Sequence, residues 1–182
     1  MFTSPFAKIT KRTEKKLTFS LLYLLLISSI VMRYFDRFLV NETAPHGIFS
    51  FELAKTLEHS VEIINSWTNL GKTYAGLSLG FDFLFLLIYT LFISLIIHKL
   101  NERLWVGKAF YRIGELLIWT MFLTAIFDSI ENVSLIKLLI GGRQQFWSFV
   151  AYYFAIAKFI LIAISLLYII INAVMLLLKK RL

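Results

Sequence analysis

Three strongly polar side chains, Asp128, Glu131 and Asn132, lie within a stretch of sequence, 113–140, that is otherwise apolar. On a helix, residues three and four positions apart lie on the same face, so these side chains point the same way. An ionised side chain near the centre of a bilayer costs roughly 2.5–3.5 kcal/mol on insertion scales, so such groups face other helices or a wet cavity. The sequence therefore predicts a buried polar site, for which other helices must supply partners.

The composition of the chain identifies the class of protein that carries this segment. Of the 182 residues, 59% are hydrophobic and 18 are phenylalanine, and the mean hydropathy is +0.77. An average soluble domain is only about 45–50% apolar. We therefore predict a single all-α integral membrane domain over residues 1–182. The net charge of +8 comes from basic residues between and beyond the apolar segments, as membrane topology requires, so we expect no nucleic-acid partner.

Four apolar segments approach or exceed the length of about 20 residues that a membrane-spanning helix requires. We predict spanning helices at about 17–38, 74–97, 113–140 and 146–178. In the long segment between the first two, apolar residues recur at three- and four-residue spacing over about 50–67, with Glu52 among the charged residues of the other face. This pattern predicts an amphipathic helix that lies on the membrane surface or covers one end of the bundle.

The basic residues predict the orientation of this four-helix bundle. The N-terminal segment, the 98–112 loop and the C-terminus hold twelve Lys and Arg residues, whereas the 33–72 loop and the 137–145 turn hold six. Lys and Arg accumulate on the cytoplasmic side of a membrane. We therefore predict a cell inner (plasma) membrane protein with both termini in the cytoplasm and the amphipathic helix in the long outer loop.

Two further charged residues lie inside the predicted helices and complete the candidate site. Asp82 lies about a third of the way into the second helix, and Lys158 lies within the fourth. With a rise of about 1.5 Å per residue, Asp82, Asp128 and Lys158 lie within about one turn of each other in depth. We therefore predict that they meet, with Glu131 and Asn132 next to them on the outer side. As ions these groups sum to a negative charge, so we expect a protonated carboxylate, a bound cation or ligand amine, or water.

Several functions fit such a cluster. The first hypothesis is a small carrier or channel-like protein, a homo-oligomer or one with a membrane partner, gated by the amphipathic helix. It binds or translocates a cation, a proton or a small amine-bearing solute at Asp82, Asp128, Glu131, Asn132 and Lys158. The second is a membrane enzyme or lipid-binding protein in which a buried carboxylate acts as general acid or base. The third is a structural or accessory subunit, in which the charges fix helix order or contact another membrane protein.

The residue inventory argues against most enzymes and cofactors. The chain has no cysteine, which excludes disulfides, thiolate metal sites and iron–sulfur clusters. It contains no Walker loop, no HExxH motif and no Gly-x-Ser-x-Gly motif. Its three histidines are scattered and lie outside the predicted spanning segments, so we expect no metal site and no haem. We therefore expect no cofactor, and we favour a protein without enzymatic activity.

Short patterns along the chain also suggest relatives. The chain carries SFELAKT at 50–56, DFLF at 82–85 and DSIEN at 128–132. Over about 48–170 this pattern resembles an uncharacterised family of small bacterial multi-pass inner-membrane proteins with about four helices. The resemblance implies a multi-pass membrane protein with the lipid bilayer as its surroundings, and it implies no particular chemistry.

Overall fold

A computed structural model describes residues 3–179 of the 182, and within these residues the chain forms α-helices and no strand. The helices are α1 (Lys11–Asp36), α2 (Ile48–Glu52), α3 (Leu57–Ser66), α4 (Asn69–Leu104), α5 (Tyr111–Leu139) and α6 (Gln145–Lys179). Four of them, α1, α4, α5 and α6, are long and apolar enough to cross a membrane. The predicted all-α bundle with four spanning helices is confirmed, and the chain is a multi-pass membrane protein.

The long helices extend beyond the apolar segments that identify them. The side chain of Thr10 caps α1 by accepting a hydrogen bond from the backbone N–H of Thr13. Thr68 caps α4 in the same way by accepting from the N–H of Gly71. Such caps determine where a helix begins, whereas hydropathy identifies only the part that lies in lipid. The sequence therefore locates the apolar middle of each helix and not its polar ends.

Helices α4, α5 and α6 pack against one another and form the core of the bundle. Small buried residues on α4 and α6, Ala75, Ala151 and Ala155, let neighbouring backbones approach closely. On α6 the two alanines lie one and two turns before Lys158, so the same face carries both the close packing and the buried charge. The core therefore places Lys158 between its neighbours rather than towards lipid.

Helix α1 packs mainly against α4 and is attached near both of its ends. At one end, Lys99 Nζ donates a hydrogen bond of 3.1 Å to Thr18 Oγ1 and lies 3.7 Å from Glu14 Oε1. At the other end, the rings of Phe38 and Tyr74 stack with their centroids 3.8 Å apart. These contacts hold α1 beside α4, while α6 packs on α5 and α4.

The loop between α1 and α4 contains two short helices where the sequence predicted one over 50–67. Helix α2 ends at Glu52 and α3 begins at Leu57, and between them Lys55 has a φ of +62°. A left-handed residue interrupts a right-handed helix, and Thr56 caps α3 by accepting from the N–H of His59. The prediction of a single helix was wrong. Apolar residues keep their helical spacing across the break, so the sequence pattern does not show that one helix ends and another begins there.

Hydrogen bonds attach the loop to the end of α1 and join the two ends of the loop to each other. Asp36, the last residue of α1, accepts a hydrogen bond of 2.8 Å at Oδ1 from the N–H of Ile48, the first residue of α2. The indole N–H of Trp67 donates a hydrogen bond of 2.9 Å to the carbonyl of Leu39. Both contacts involve buried groups, and burial makes an unpaired donor costly. The loop is therefore a folded cover over this end of the bundle, and it directs α2 towards the polar site.

Candidate functional site

Lys158 lies at the centre of the predicted polar site. Its ammonium nitrogen, Nζ, donates a hydrogen bond of 2.8 Å to Asp128 Oδ1 and lies 2.8 Å from Glu131 Oε2. The side chain of Lys158 is 6% exposed and that of Glu131 is 0% exposed, so solvent screens these charges little. The predicted meeting of Lys158 with Asp128 is confirmed.

Asp82 joins the site through a different contact. Its Oδ2 accepts a hydrogen bond of 2.6 Å from Asn132 Nδ2, and among residues 3–179 it is not one of the carboxylates within 4.0 Å of Lys158 Nζ. Tyr89, two turns further along α4, donates a hydrogen bond of 2.7 Å from its hydroxyl to Asp128 Oδ2. Depth along a helix predicts which residues share a level and does not predict which of them touch.

The structure adds a fourth carboxylate, Glu52, which the sequence placed on the polar face of a surface helix. Glu52 is the last residue of α2 and is 6% exposed. Its Oε2 lies 3.7 Å from Lys158 Nζ, and α2 also reaches α6 through the rings of Phe49 and Phe159, whose centroids are 5.9 Å apart. The apolar spacing of 50–67 placed Glu52 on the polar face of a surface helix, and the one sequence signal at this position was the short pattern SFELAKT at 50–56.

The cluster holds more acid than base. The cluster contains four carboxyl groups, those of Glu52, Asp82, Asp128 and Glu131, and one ammonium group, so full ionisation would leave three negative charges uncompensated. Among the residues that the structure describes, Glu131 Oε1 has no hydrogen-bond partner, and Glu131 Oε2 lies 2.8 Å from the Lys158 ammonium. Buried acceptors without donors are costly. The cluster therefore retains protons or accepts a cationic partner.

Burial raises the pKa of the Glu52 carboxyl above its ordinary value. The Lys158 ammonium acts in the opposite direction, and the charge of Asp128 adds to the rise. The folded state therefore holds a proton on Glu52 more tightly than the unfolded state does. By linkage, the free energy that keeps α2 docked falls as the pH rises from the ordinary range of a glutamate towards the raised pKa.

We expect the α2 segment to dock less firmly at higher pH, and we expect Glu52→Gln to abolish this dependence because an amide does not titrate in this range. The chain lacks cysteine, so an environment-sensitive fluorophore on Leu53→Cys, a residue 42% exposed, reports on docking across the pH range. Glu58→Gln, on the exposed face of α3, is the matched control. Identical pH profiles for Glu52→Gln and Glu58→Gln would contradict this prediction.

A cavity of about 440 Å³ adjoins the cluster. Its polar end includes Glu52, Asp82, Asp128 and Lys158. The rest of its lining is mostly apolar and comes mainly from α1, α4 and α6: Leu25, Met32, Phe85, Ile93, Phe159 and Ile162. The α1 wall also carries Ser29 and the ion pair of Arg33 with Asp36. Because α1 packs mainly against α4, the cavity lies in the gap between α1 and α6. The site therefore combines an acidic end with walls that suit a hydrocarbon.

The acids are not arranged as metal ligands. Within residues 3–179 no three His, Asp or Glu side chains form a group that could hold a metal ion. An organic ammonium group has different requirements, because it donates up to three hydrogen bonds from a single atom and its substituents are apolar. The acidic end and the apolar walls of the cavity therefore offer contacts for both parts of an amine that carries a hydrocarbon chain.

Comparison of the chain with protein-family models, curated proteins and solved structures finds no match. The resemblance to small bacterial multi-pass proteins stays a prediction. The positions that carry it include Glu52, Asp82, Asp128 and Glu131, all of which belong to the cluster. The chemistry of this site is therefore argued from its own geometry.

Proposed function

We propose that this protein binds an amphipathic, amine-bearing solute in the cavity beside Lys158 and carries it within or across the membrane. The observation that supports the proposal is the excess of acid at one end of an apolar cavity. A protonated amine supplies both the charge and the hydrogen-bond donors that this end lacks. A hydrocarbon tail along the walls is stabilised by about 25 cal/mol for each Å² of apolar surface that it removes from water.

Asp82 is the acid that we expect to receive the amine. Asp128 already accepts hydrogen bonds from Lys158 and Tyr89, whereas Asp82 accepts one from the neutral amide of Asn132. Asp82 also lines the cavity. Its charge therefore has no cation in direct contact among the described residues, and a ligand amine would complete the pair.

The topology is part of the same proposal. We propose an inner-membrane protein with cytoplasmic termini, on the distribution of Lys and Arg. The cavity then lies in the outer half of the bilayer, beneath the cover formed by α2 and α3. In the most apolar stretches of α1 and α6, 11% of the residues are buried within the chain. These helices therefore have surface available for a second copy of the chain or for a membrane partner, which a carrier with four spanning helices requires.

We expect dodecylamine to bind at least about tenfold more weakly to Asp82→Asn than to the wild type. The reason is that the variant loses one charge-assisted hydrogen bond, which contributes about 1.5–3 kcal/mol. Native mass spectrometry of the gently solubilised protein measures the bound fraction, and it also detects any solute or companion chain that is retained from the cell. Dodecanol, which has the same tail and no charge, is the ligand control. Glu58→Gln, an exposed acid of α3, is the protein control.

Two results would count against this proposal. Equal binding of dodecylamine and dodecanol would show that the acids do not recognise the amine. Equal binding of dodecylamine to Asp82→Asn and Glu58→Gln would remove Asp82 from the site. A companion chain that co-purifies with the wild type and is lost from Asp82→Asn, with no bound amine, would instead support an accessory subunit.

A further inference from the structure

Buried polar side chains continue through the three-helix core beyond the acidic cluster, towards the C-terminal end of α4. Each is 4% exposed or less. They are Thr90, Ser94, His98 and Asn101 on α4, Thr124 on α5 and Ser165 on α6. Polar groups with so little exposure are uncommon in the interior of a membrane protein, where each needs a partner. The burial of so many polar groups is therefore a feature that helix packing alone does not explain.

Hydrogen bonds fix the two ends of this series. At the cluster, Tyr89 of α4 donates to Asp128 of α5. At the other end, the hydroxyl of Tyr168 on α6 donates a hydrogen bond of 3.1 Å to Asn101 Oδ1 on α4. From Tyr89 to Asn101 the helix rises about 18 Å, at about 1.5 Å per residue. The series therefore covers more than half of a bilayer core of about 30 Å.

Between these ends the polar groups are spaced in steps of about one helical turn. Thr90, Ser94 and His98 recur every four residues and so lie on one face of α4, about 6 Å apart along its axis. Ser165 lies one turn before Tyr168 on α6, and His98 lies one turn before Asn101 on α4, so Ser165 and His98 share a level. A step of this length is too long for a direct hydrogen bond and is of the length that one water molecule can bridge.

Two of the hydroxyl groups show where water is needed. Thr90 Oγ1 and Ser165 Oγ are buried and have no hydrogen-bond partner among residues 3–179. The two other hydroxyls of the series have carbonyl partners: Thr124 donates to Thr120 on its own helix, and Ser94 donates to Ile118 on α5 at 3.5 Å. Buried polar groups that lack protein partners are ordinarily paired with ordered water. Thr90 on α4 and Ser165 on α6 are therefore two places in the core where a water molecule would pair with an unpartnered hydroxyl.

His98 is a titratable group near the far end of the series. Its ring is 4% exposed and packs against the ring of Phe6, with 5.9 Å between centroids. The carboxylates of Glu14, Glu102 and Glu115, from α1, α4 and α5, lie close enough to act electrostatically on the imidazole. Imidazole is the side chain that most readily takes up and releases a proton near neutral pH.

We propose that waters held between these hydroxyl groups conduct protons between the acidic cluster and His98. A protonated carboxyl group of the cluster gives its proton to the first water. Each hydroxyl or water along the path accepts one proton and passes another on, and His98 accepts the last. No group is consumed, and Phe6 covers the His98 end of the path. This activity goes beyond solute binding, since it needs no bound amine.

The test is proton flux into liposomes that contain the reconstituted protein and an entrapped pH-sensitive dye, driven by a potassium diffusion potential. We expect wild-type flux to exceed that of protein-free liposomes at least tenfold. We expect Thr90→Val, which replaces the hydroxyl by a methyl group of similar shape, to lower it at least tenfold. Ser165→Val tests the same path from a different helix. The matched control is Thr120→Val, because the Thr120 hydroxyl donates to the Leu116 carbonyl.

The experiment separates this proposal from the proposal of amine binding because no amine is present. Wild-type flux equal to that of protein-free liposomes would overturn the proton path and would leave the dodecylamine result unaffected. Flux that is unchanged in folded Thr90→Val and Ser165→Val would overturn it as well. Reduced flux in Thr90→Val and Ser165→Val, with normal flux in Thr120→Val, supports it.

Discussion

Replacing Lys158 by methionine should strongly destabilise the bundle. The ammonium group of Lys158 contacts the buried carboxylates of Asp128, Glu131 and Glu52, and methionine fills a similar volume without the charge. Removing one partner of a buried ion pair costs about 3–5 kcal/mol, whereas a domain is stable by only about 5–15 kcal/mol. We expect the midpoint of thermal unfolding in detergent, followed by circular dichroism, to fall by several degrees or the protein not to accumulate.

Two further variants separate charge from packing at this position. Lys137→Met removes an exposed lysine of α5 and should leave the unfolding midpoint unchanged. The double variant Lys158→Met with Glu131→Gln lowers the number of uncompensated acids and should recover part of the lost stability. An unfolding midpoint of Lys158→Met equal to that of Lys137→Met would show that the cluster is fully protonated without its lysine, and the charge argument would be wrong.

Replacing Gly47 by alanine should detach α2 from the end of α1. Gly47 has φ +57° and ψ −125°, a conformation that residues with a Cβ atom adopt only with strain of about 1–3 kcal/mol. An added Cβ would also lie 1.9 Å from Asp36 Oδ1, the atom that accepts the hydrogen bond from the N–H of Ile48. The substitution therefore breaks the contact that positions α2 and, with it, Glu52.

A single introduced cysteine measures this detachment. Ala54 follows α2 and is 6% exposed, so maleimide labelling of Ala54→Cys is slow while the cover is docked. We expect Gly47→Ala to raise the labelling rate at least about tenfold, since 1.4 kcal/mol corresponds to about a tenfold change in an equilibrium constant. Gly80→Ala is the control, because a Cβ at Gly80 meets nothing within 4 Å. Equal labelling rates in the two variants would contradict the role of Gly47.

The spanning helices and the level of the charges were predictable because both follow from local physics. Hydrophobic length identifies a spanning segment, and the rise per residue placed Lys158 at the level of Asp128, where the structure joins them. The partner of Asp82 was not predictable in the same way. Its contact with Asn132 depends on how α4 and α5 rotate about their axes, and depth contains no information on that rotation.

The role of the loop was hidden for a different reason. Apolar spacing runs through 50–67 without a gap, so the pattern predicts one helix, whereas the left-handed Lys55 and the cap at Thr56 divide it. Because α2 ends at Glu52, this residue lies beside Lys158 and not on the surface face of a longer helix. The cavity was likewise not predictable, because it results from α1 packing on α4 and leaving a gap beside α6, a choice of partner that no single segment encodes.

Each acid that α4 and α5 contribute to the cluster contacts a residue that comes later in the chain, and this order has a consequence for membrane insertion during synthesis. A nascent chain enters the membrane from its N-terminus, so Asp82 inserts before Asn132 exists, and Asp128 inserts before Lys158. Unpaired acids at that depth cost roughly 2.5–3.5 kcal/mol each, and only insertion of α6 completes the cluster. Chains that stop before α6 therefore carry exposed acids in lipid, a feature by which a cell's membrane quality control can distinguish unfinished copies from finished ones.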